Sequence, residues 1–170
     1  MTALLVLGGA RSGKSRHAQA RAEALAGELV YIATAQAFDG EMRERIAHHR
    51  MDRGPRWRTV EEPLDLPGAL ARNARSGSVL LVDCLTLWLS NLMLAGRDPD
   101  SAARHLAEAI ARAPGTVILV ANEVGLGIVP DNALARRFRD AAGWLNQTIA
   151  AQADEVLFIA AGLPLQLKPA

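Results

Sequence analysis

Eight residues near the start of the chain, Gly8, Gly9, Ala10, Arg11, Ser12, Gly13, Lys14 and Ser15, have the types and spacing that hold a phosphate chain. The pattern is glycine, four residues, then Gly-Lys-Ser. It follows the apolar run Leu4–Leu7 and precedes a helix-compatible stretch, the strand-loop-helix context that a P-loop requires. Glycines at 8, 9 and 13 let the backbone turn tightly enough for successive N–H groups to converge on an anion at a helix N-terminus. Lys14 then reaches the β- and γ-phosphates, and the Ser15 hydroxyl is placed to ligate Mg²⁺. Of the 19 basic residues only Lys14 and Lys168 are lysines, so a lysine at this position stands out from an arginine-rich background.

A metal-bound triphosphate also needs an acidic residue. Asp83 ends the run Val79–Val82, which puts its carboxylate at the carboxyl edge of a buried strand, where open α/β sheets bind ligands. The Walker-B role fits it, and a helix N-cap for the segment from Leu85 is the structural alternative. Thr34, Ala35 and Gln36 follow a second strand and read either as nucleotide or substrate contacts or as a capping turn. Glu123, in the Gly- and Pro-marked loop Asn122–Pro130, either acts on substrate or caps its own loop. Cys84, the one cysteine, reads as a small buried residue rather than a nucleophile.

The segment Glu41–Arg53 is densely charged and carries the pair His48-His49. A solvated helix with i, i+4 pairs such as Glu41 with Arg45 accounts for the charges. Neighbouring helical positions point ~100° apart, so only one histidine can face a ligand. Neutral imidazole is nevertheless a usable nucleophile near neutral pH, and surrounding guanidinium groups stabilise a triphosphate under attack. Phosphoryl or nucleotidyl transfer through a phosphoramidate is therefore chemically open to it.

The elements that must position these residues alternate. Strands are expected at Leu4–Leu7, Leu29–Ala33, Arg58–Val60, Val79–Asp83, Thr116–Ala121 and Val156–Ala160. Helices are expected at Lys14–Ala26, Gly40–Arg50, Leu66–Arg75, Leu85–Ala95, Pro99–Ala113 and Asn132–Ala153, the last with Asp131 as N-cap. Alternation with continuous apolar strands predicts an α/β fold, a mostly parallel central sheet flanked by helices, in a single domain over residues 1–170. A net charge of +1 gives no long-range field for nucleic acid, and no apolar run approaches the ~20 residues of a membrane span. Without a signal-peptide pattern at Met1, the expectation is a soluble, cytoplasmic protein.

Together these motifs resemble the bifunctional adenosylcobinamide kinase / adenosylcobinamide-phosphate guanylyltransferase family of cobalamin synthesis. The resemblance rests on Gly8–Ser15, Tyr31–Gln36, Arg45–Arg50, Trp57–Pro63, Asn122–Gly125 with Ile128–Pro130, Phe138–Asp140 and Gly143–Gln147. It implies a P-loop NTPase domain of recombinase-like type and a homotrimer. It also implies two reactions: phosphorylation of adenosylcobinamide by ATP or GTP, then transfer of GMP from GTP to the product through a GMP-histidine. His49 is the implied nucleophile, with His48 adjacent. Nucleotide contacts carried over by motif are Gly8, Gly9, Ala10, Arg11, Ser12, Gly13, Lys14, Ser15, Thr34, Ala35, Gln36, Arg50, Met51, Asp52, Arg53, Glu61 and Asp83, with Ser15 and Asp83 on Mg²⁺. Glu61 is taken over its neighbour Glu62 from its place after Thr59-Val60. An ordinary P-loop small-molecule kinase, or a nucleotide-dependent switch protein, shares the features up to Asp83 but forms no covalent adduct.

Overall fold

Continuous apolar runs decide the architecture, because each central strand is apolar on both of its faces. In a computed structural model that describes residues 2–36 and 54–170, the strands are β1 Thr2–Gly8, β2 Glu28–Ala33, β3 Trp57–Glu61, β4 Ser78–Asp83, β5 Thr116–Asn122, β6 Glu155–Ala160 and β7 Leu163–Lys168. The helices are α1 Lys14–Glu23, α2 Leu66–Asn73, α3 Leu85–Leu94, α4 Pro99–Arg112 and α5 Ala133–Gln152. The helix expected over Gly40–Arg50 lies outside the described residues, as do His48, His49, Arg50, Met51, Asp52 and Arg53.

The described residues build one seven-stranded sheet in the order β3-β2-β4-β5-β1-β6-β7, with β7 antiparallel to β6 and the other pairs parallel. Ala3, Leu5 and Leu7 of β1 join Val30, Ile32, Leu80 and Val82 in a core covered by residues of α2, α3, α4 and α5. Leu4 and Val6 face the other way, with Leu29, Leu81, Ile118 and Val120, under Ala18 and Ala22 of α1. Two alanines four residues apart give α1 a small-residue stripe, so the helix that starts at the P-loop lies close against the sheet. Each buried Leu, Ile or Val contributes roughly 1.5–3 kcal/mol relative to exposure, which makes this two-sided core the main stabilising term.

Helix ends follow local chemistry. Asp98 accepts hydrogen bonds from the Asp100 and Ser101 N–H groups at the start of α4, with Pro99 at the first helical position. For α5 the N-cap is Asn132, whose side chain accepts from the Ala135 N–H at 2.7 Å, rather than the expected Asp131. The helix starts one residue later than Asp131 would set it. Strand β7 was not anticipated either. Its leucines at 163, 165 and 167 are exposed, so it lacks the buried run that marks β1, β2, β4, β5 and β6. At the sheet edge it tolerates Pro164, and Lys168 turns back to donate to the Ala150, Ala151 and Ala153 carbonyls at the end of α5.

Candidate active site

The β1–α1 loop is shaped by close approach. Gly8 stands in register with Asn122 of β5 on one side and Ile159 of β6 on the other. A Cβ there would come within 2.6 Å of the Ile159 carbonyl oxygen and 2.5 Å of Ser12 Oγ, so no larger residue fits without a shift. Gly13 takes φ 94° immediately before α1, and no side chain caps that helix. Its first N–H groups and the positive end of its dipole are thus available to an anion. Lys14 is almost wholly buried and donates from Nζ to the Gly9 carbonyl at 3.0 Å, which spans the loop. The Ser12 N–H also bonds Gly9 O at 3.3 Å, and Ser12 O accepts from the Gly162 N–H at 2.8 Å. A pocket of about 470 Å³ opens here, lined by Arg11, Ser12, Gly13, Lys14, Ser15, Arg16, Ala161 and Gly162.

Asp83 ends β4 two strands away from β1, half-buried and in register with Ala33 of β2 and Val120 of β5. The turn after it is fastened by Thr34. The Thr34 N–H bonds Asp83 O at 3.3 Å, and its hydroxyl donates to Cys84 O at 2.7 Å while accepting from Cys84 N–H at 2.9 Å. Asn91 of α3 donates to the Thr34 carbonyl at 2.8 Å and to Pro63 O at 3.1 Å. The Asp83–Cys84 peptide bond is cis. Thr34 is fully buried, so its side chain holds the Asp83 turn in place, while Ala35 and Gln36 beyond it are half-buried and outside any strand.

The adjacent glutamates divide cleanly. Glu62 accepts from the Leu64 and Asp65 N–H groups at 3.2 and 2.8 Å and pairs with Arg72 at 3.2 Å, which organises the entry to α2. Glu61, at the end of β3 in register with Ala33, is exposed, and its carboxylate has no hydrogen-bond or ion-pair partner among the described residues. Glu123 accepts from the Gly125 N–H and so caps its own loop, and its N–H donates to Gly8 O at 3.1 Å. That bond ties the β5 loop to the start of the P-loop. Asn122 is pinned through its backbone, by Thr86 Oγ1 at 2.7 Å and Asn146 Nδ2 at 3.3 Å, with its Oδ1 buried and unpaired.

Electrostatics assign the remaining candidates. Burial, with Asp83 beside it, pushes the Cys84 thiol up to about 11, so it stays protonated at neutral pH and acts as a packed apolar group. On α1, burial and then Arg21 hold the His17 imidazole below its ordinary value against the pull of Glu155, and its Nε2 is buried without a partner. Among the described residues no group of three or more His, Cys, Asp or Glu side chains could cage a metal. The donors that remain, the Ser15 hydroxyl and the Asp83 carboxylate, are hard oxygens. They fit Mg²⁺, which keeps several waters and shares its shell with phosphate oxygens.

The structure therefore brings Gly8–Ser15, Thr34–Gln36, Glu61 and Asp83 to the carboxyl edge of one sheet, along β1, β4, β2 and β3. Sequence reading passed over Arg16 and the β6–β7 turn, Ala161-Gly162, which complete the pocket. The one available signal was Gly162 between two apolar stretches, which marks a hairpin.

The chain matches the cobinamide kinase / cobinamide phosphate guanyltransferase family over residues 4–167. The chain belongs to this family. The bifunctional adenosylcobalamin biosynthesis protein CobP of Pseudomonas aeruginosa is 54% identical over 167 residues, 96% of each chain. The bifunctional adenosylcobalamin biosynthesis protein CobU of Escherichia coli K12 is 43% identical over 183 residues, covering 97% of this chain and 99% of its own. Among solved structures, the type III secretion ATPase EscN of enteropathogenic E. coli superposes with a TM-score of 0.60 at 13% identity, over 94% of this chain and 43% of that one. The flagellar accessory protein FlaH of Methanocaldococcus jannaschii gives 0.53 at 14%, over 99% and 78%. At such identities the likeness concerns the fold alone, an α/β fold with a mostly parallel central sheet flanked by helices.

Proposed function

We propose that this chain is a bifunctional enzyme of cobalamin biosynthesis, acting as a single domain over residues 1–170. It phosphorylates adenosylcobinamide with ATP or GTP, then transfers GMP from GTP to adenosylcobinamide phosphate. The observation that carries this reading is the phosphate cradle: an uncapped helix N-terminus with a buried lysine held on a backbone carbonyl, in a chain of this family. When a nucleotide enters, Lys14 exchanges the Gly9 carbonyl for β- and γ-phosphate oxygens, and the backbone N–H groups of residues 9 to 15 take up charge. Ser15 and Asp83 would hold Mg²⁺, which would neutralise charge on the phosphate chain.

In the first reaction the substrate hydroxyl oxygen bonds to the γ-phosphorus as the β–γ bridge breaks. The nucleoside diphosphate leaves with the electron pair, and the hydroxyl proton passes to solvent. In the second, the neutral His49 imidazole bonds to the α-phosphorus and the α–β bridge breaks, releasing pyrophosphate. The substrate phosphate then displaces the histidine to give adenosylcobinamide-GDP. Ala35, Gln36, Glu61 and Arg50–Arg53 would contact the nucleotide, and Thr34 would act by fixing the Asp83 turn. Family membership supports a homotrimer. No helix among the described residues is long and apolar enough to cross a membrane, which accords with a cytoplasmic enzyme.

Mass analysis of adenosylcobinamide treated with the purified chain, Mg²⁺ and ATP, with GTP added afterwards, tests the reading. A phosphorylated product followed by a GDP-linked one is expected. Recovery of unmodified corrinoid at both stages would refute it.

A further inference from the structure

The loop between β5 and α5 keeps its apolar side chains outside. Val124, Leu126, Ile128, Val129 and, at the start of α5, Leu134 are all exposed, Leu126 at 81% and Ile128 at 99%. They are five of the twelve large apolar side chains that stand exposed among the described residues, so this short stretch is a patch and not scattered surface. The loop is also fastened at both ends. At its entry the Glu123 N–H bonds Gly8 O at 3.1 Å, and the Glu123 carboxylate accepts from the Gly125 N–H at 2.5 Å. At its exit Arg136 donates to the Pro130 and Asp131 carbonyls at 2.9 and 2.8 Å.

Gly127 carries a second, independent signal. Its φ is not positive, and a Cβ there would meet nothing within 4 Å. Neither backbone conformation nor packing asks for glycine at this position, which leaves bare backbone open to close approach from outside. The place of the loop is set by β5. Asn122 stands in register with Gly8, so the loop leaves the sheet beside the phosphate cradle on the β5 side of β1, whereas the Ala161-Gly162 wall of the P-loop pocket stands on the β6 side. No charged residue lies between Val124 and Val129. Arg137, three residues after Leu134 and so on the same face of α5, is exposed and has no ion-pair partner among the described residues.

The acceptor in the proposed phosphorylation is a corrinoid. Its broad macrocycle bears methyl groups, its rim bears neutral amides, and its reactive hydroxyl ends a short arm. Such a molecule needs a neutral apolar platform beside the γ-phosphate, open at the side and with a hydrogen-bond donor at the rim. Resting on the bifunctional reading, we propose that the loop Val124–Val129, with Leu134, is the platform for the corrin ring of adenosylcobinamide. Leu126, Ile128 and Val129 cover the ring, the backbone at Gly127 lies closest to it, and Arg137 donates to amide oxygens. The arm then carries the hydroxyl to the γ-phosphorus held at Lys14. A second copy of the chain seated here would close the β5-side approach that the acceptor needs, so the substrate is the occupant.

The test measures adenosylcobinamide binding by equilibrium dialysis, Mg²⁺-ATP affinity and steady-state phosphorylation for wild type, Ile128→Ser and Gly127→Ala. Leu165→Ser serves as control, an exposed leucine on β7 beyond β6. Melting curves and light scattering establish that each variant folds and report its oligomeric state. Ile128→Ser should raise Kd and KM for adenosylcobinamide about tenfold, the size expected for one aliphatic side chain lost from a buried contact, with kcat within about twofold. Gly127→Ala, which meets no neighbour in the fold, should raise both about threefold without lowering the melting temperature. ATP affinity should hold in every variant, and Leu165→Ser should match wild type throughout. Wild-type turnover with unchanged Kd and KM in Ile128→Ser and Gly127→Ala would overturn the proposal alone. So would an equal loss of ATP affinity, which would make the loop a support of the cradle, or a changed oligomeric state, which would make it an interface between copies. A wild-type chain that neither binds nor phosphorylates adenosylcobinamide would overturn the bifunctional reading and this proposal with it.

Discussion

Replacing Thr34 by valine separates a residue that holds the site from one that touches the ligand. The substitution keeps the shape and the β-branch and removes only the hydroxyl, which donates to Cys84 O at 2.7 Å and accepts from Cys84 N–H at 2.9 Å in a fully buried setting. The Cys84 N–H would be left unpaired, at a cost of about 1–3 kcal/mol, while Cys84 O keeps the Trp88 N–H at 3.2 Å. A net loss of about 2 kcal/mol is expected. At about 2–4 °C per kcal/mol for a chain of this size, the melting temperature should fall by about 4–8 °C. Thr34→Ser, which retains the hydroxyl, should lose less than half of that. Below the melting range the Mg²⁺ requirement of nucleotide binding should rise, because the turn that carries Asp83 is loosened, while affinity for metal-free nucleotide stays within about twofold. Thermal melts and nucleotide titrations at two Mg²⁺ concentrations measure both effects. A Thr34→Val protein that melts like wild type yet loses metal-free nucleotide binding would refute the reasoning and make Thr34 a direct contact.

Other perturbations follow from the same geometry. Gly8→Ala drives a methyl to within 2.6 Å of the Ile159 carbonyl in the middle of the sheet, so denaturant unfolding should show a loss of about 1–3 kcal/mol together with weakened nucleotide binding; an unchanged midpoint would count against the packing described. Because burial and Arg21 hold the folded-state pKa of His17 below that of the unfolded chain, the folded form resists protonation. Its contribution should be complete above about pH 6.5 and decline as the pH falls below that value. His17→Gln should flatten this part of the stability profile between pH 7.5 and 5.5, and an identical profile in the variant would exclude the assignment. Glu62→Gln should lower the melting temperature with nucleotide affinity nearly intact, whereas Glu61→Gln should do the reverse; melting and binding data showing both variants alike would contradict the division between them.

Much of this site was legible because its chemistry is local. The P-loop is a contiguous motif, and β1, β4 and β5 are continuous apolar runs because helices cover both sides of the sheet there. Strand β7 follows no such rule. With one side of its pairing open to solvent, its exposed leucines read as loop sequence. Thr34 was visible as a polar residue at a strand end, but its partner, Cys84, is 50 residues away and becomes its neighbour only through the β2–β4 pairing. The choice between Glu61 and Glu62 was reached from motif position alone. The reason Glu62 is occupied, the turn leading to Asp65 and Arg72, is a short-range arrangement that the spacing permits without dictating. Asp131 and Asn132 are both good caps, and backbone geometry one residue further on selects Asn132.

The central claim is nucleotidyl transfer through a histidine, and the most direct measurement is incubation of the purified chain with GTP labelled at the α-phosphate, with Mg²⁺ and no corrinoid. Wild type, His49→Ala and His48→Ala are compared side by side. The account predicts an adduct on the protein that is acid-labile and alkali-stable, retained in His48→Ala and absent in His49→Ala. Absence of any adduct on the wild-type chain would contradict it and leave a P-loop kinase; loss in His48→Ala alone would move the nucleophile to His48.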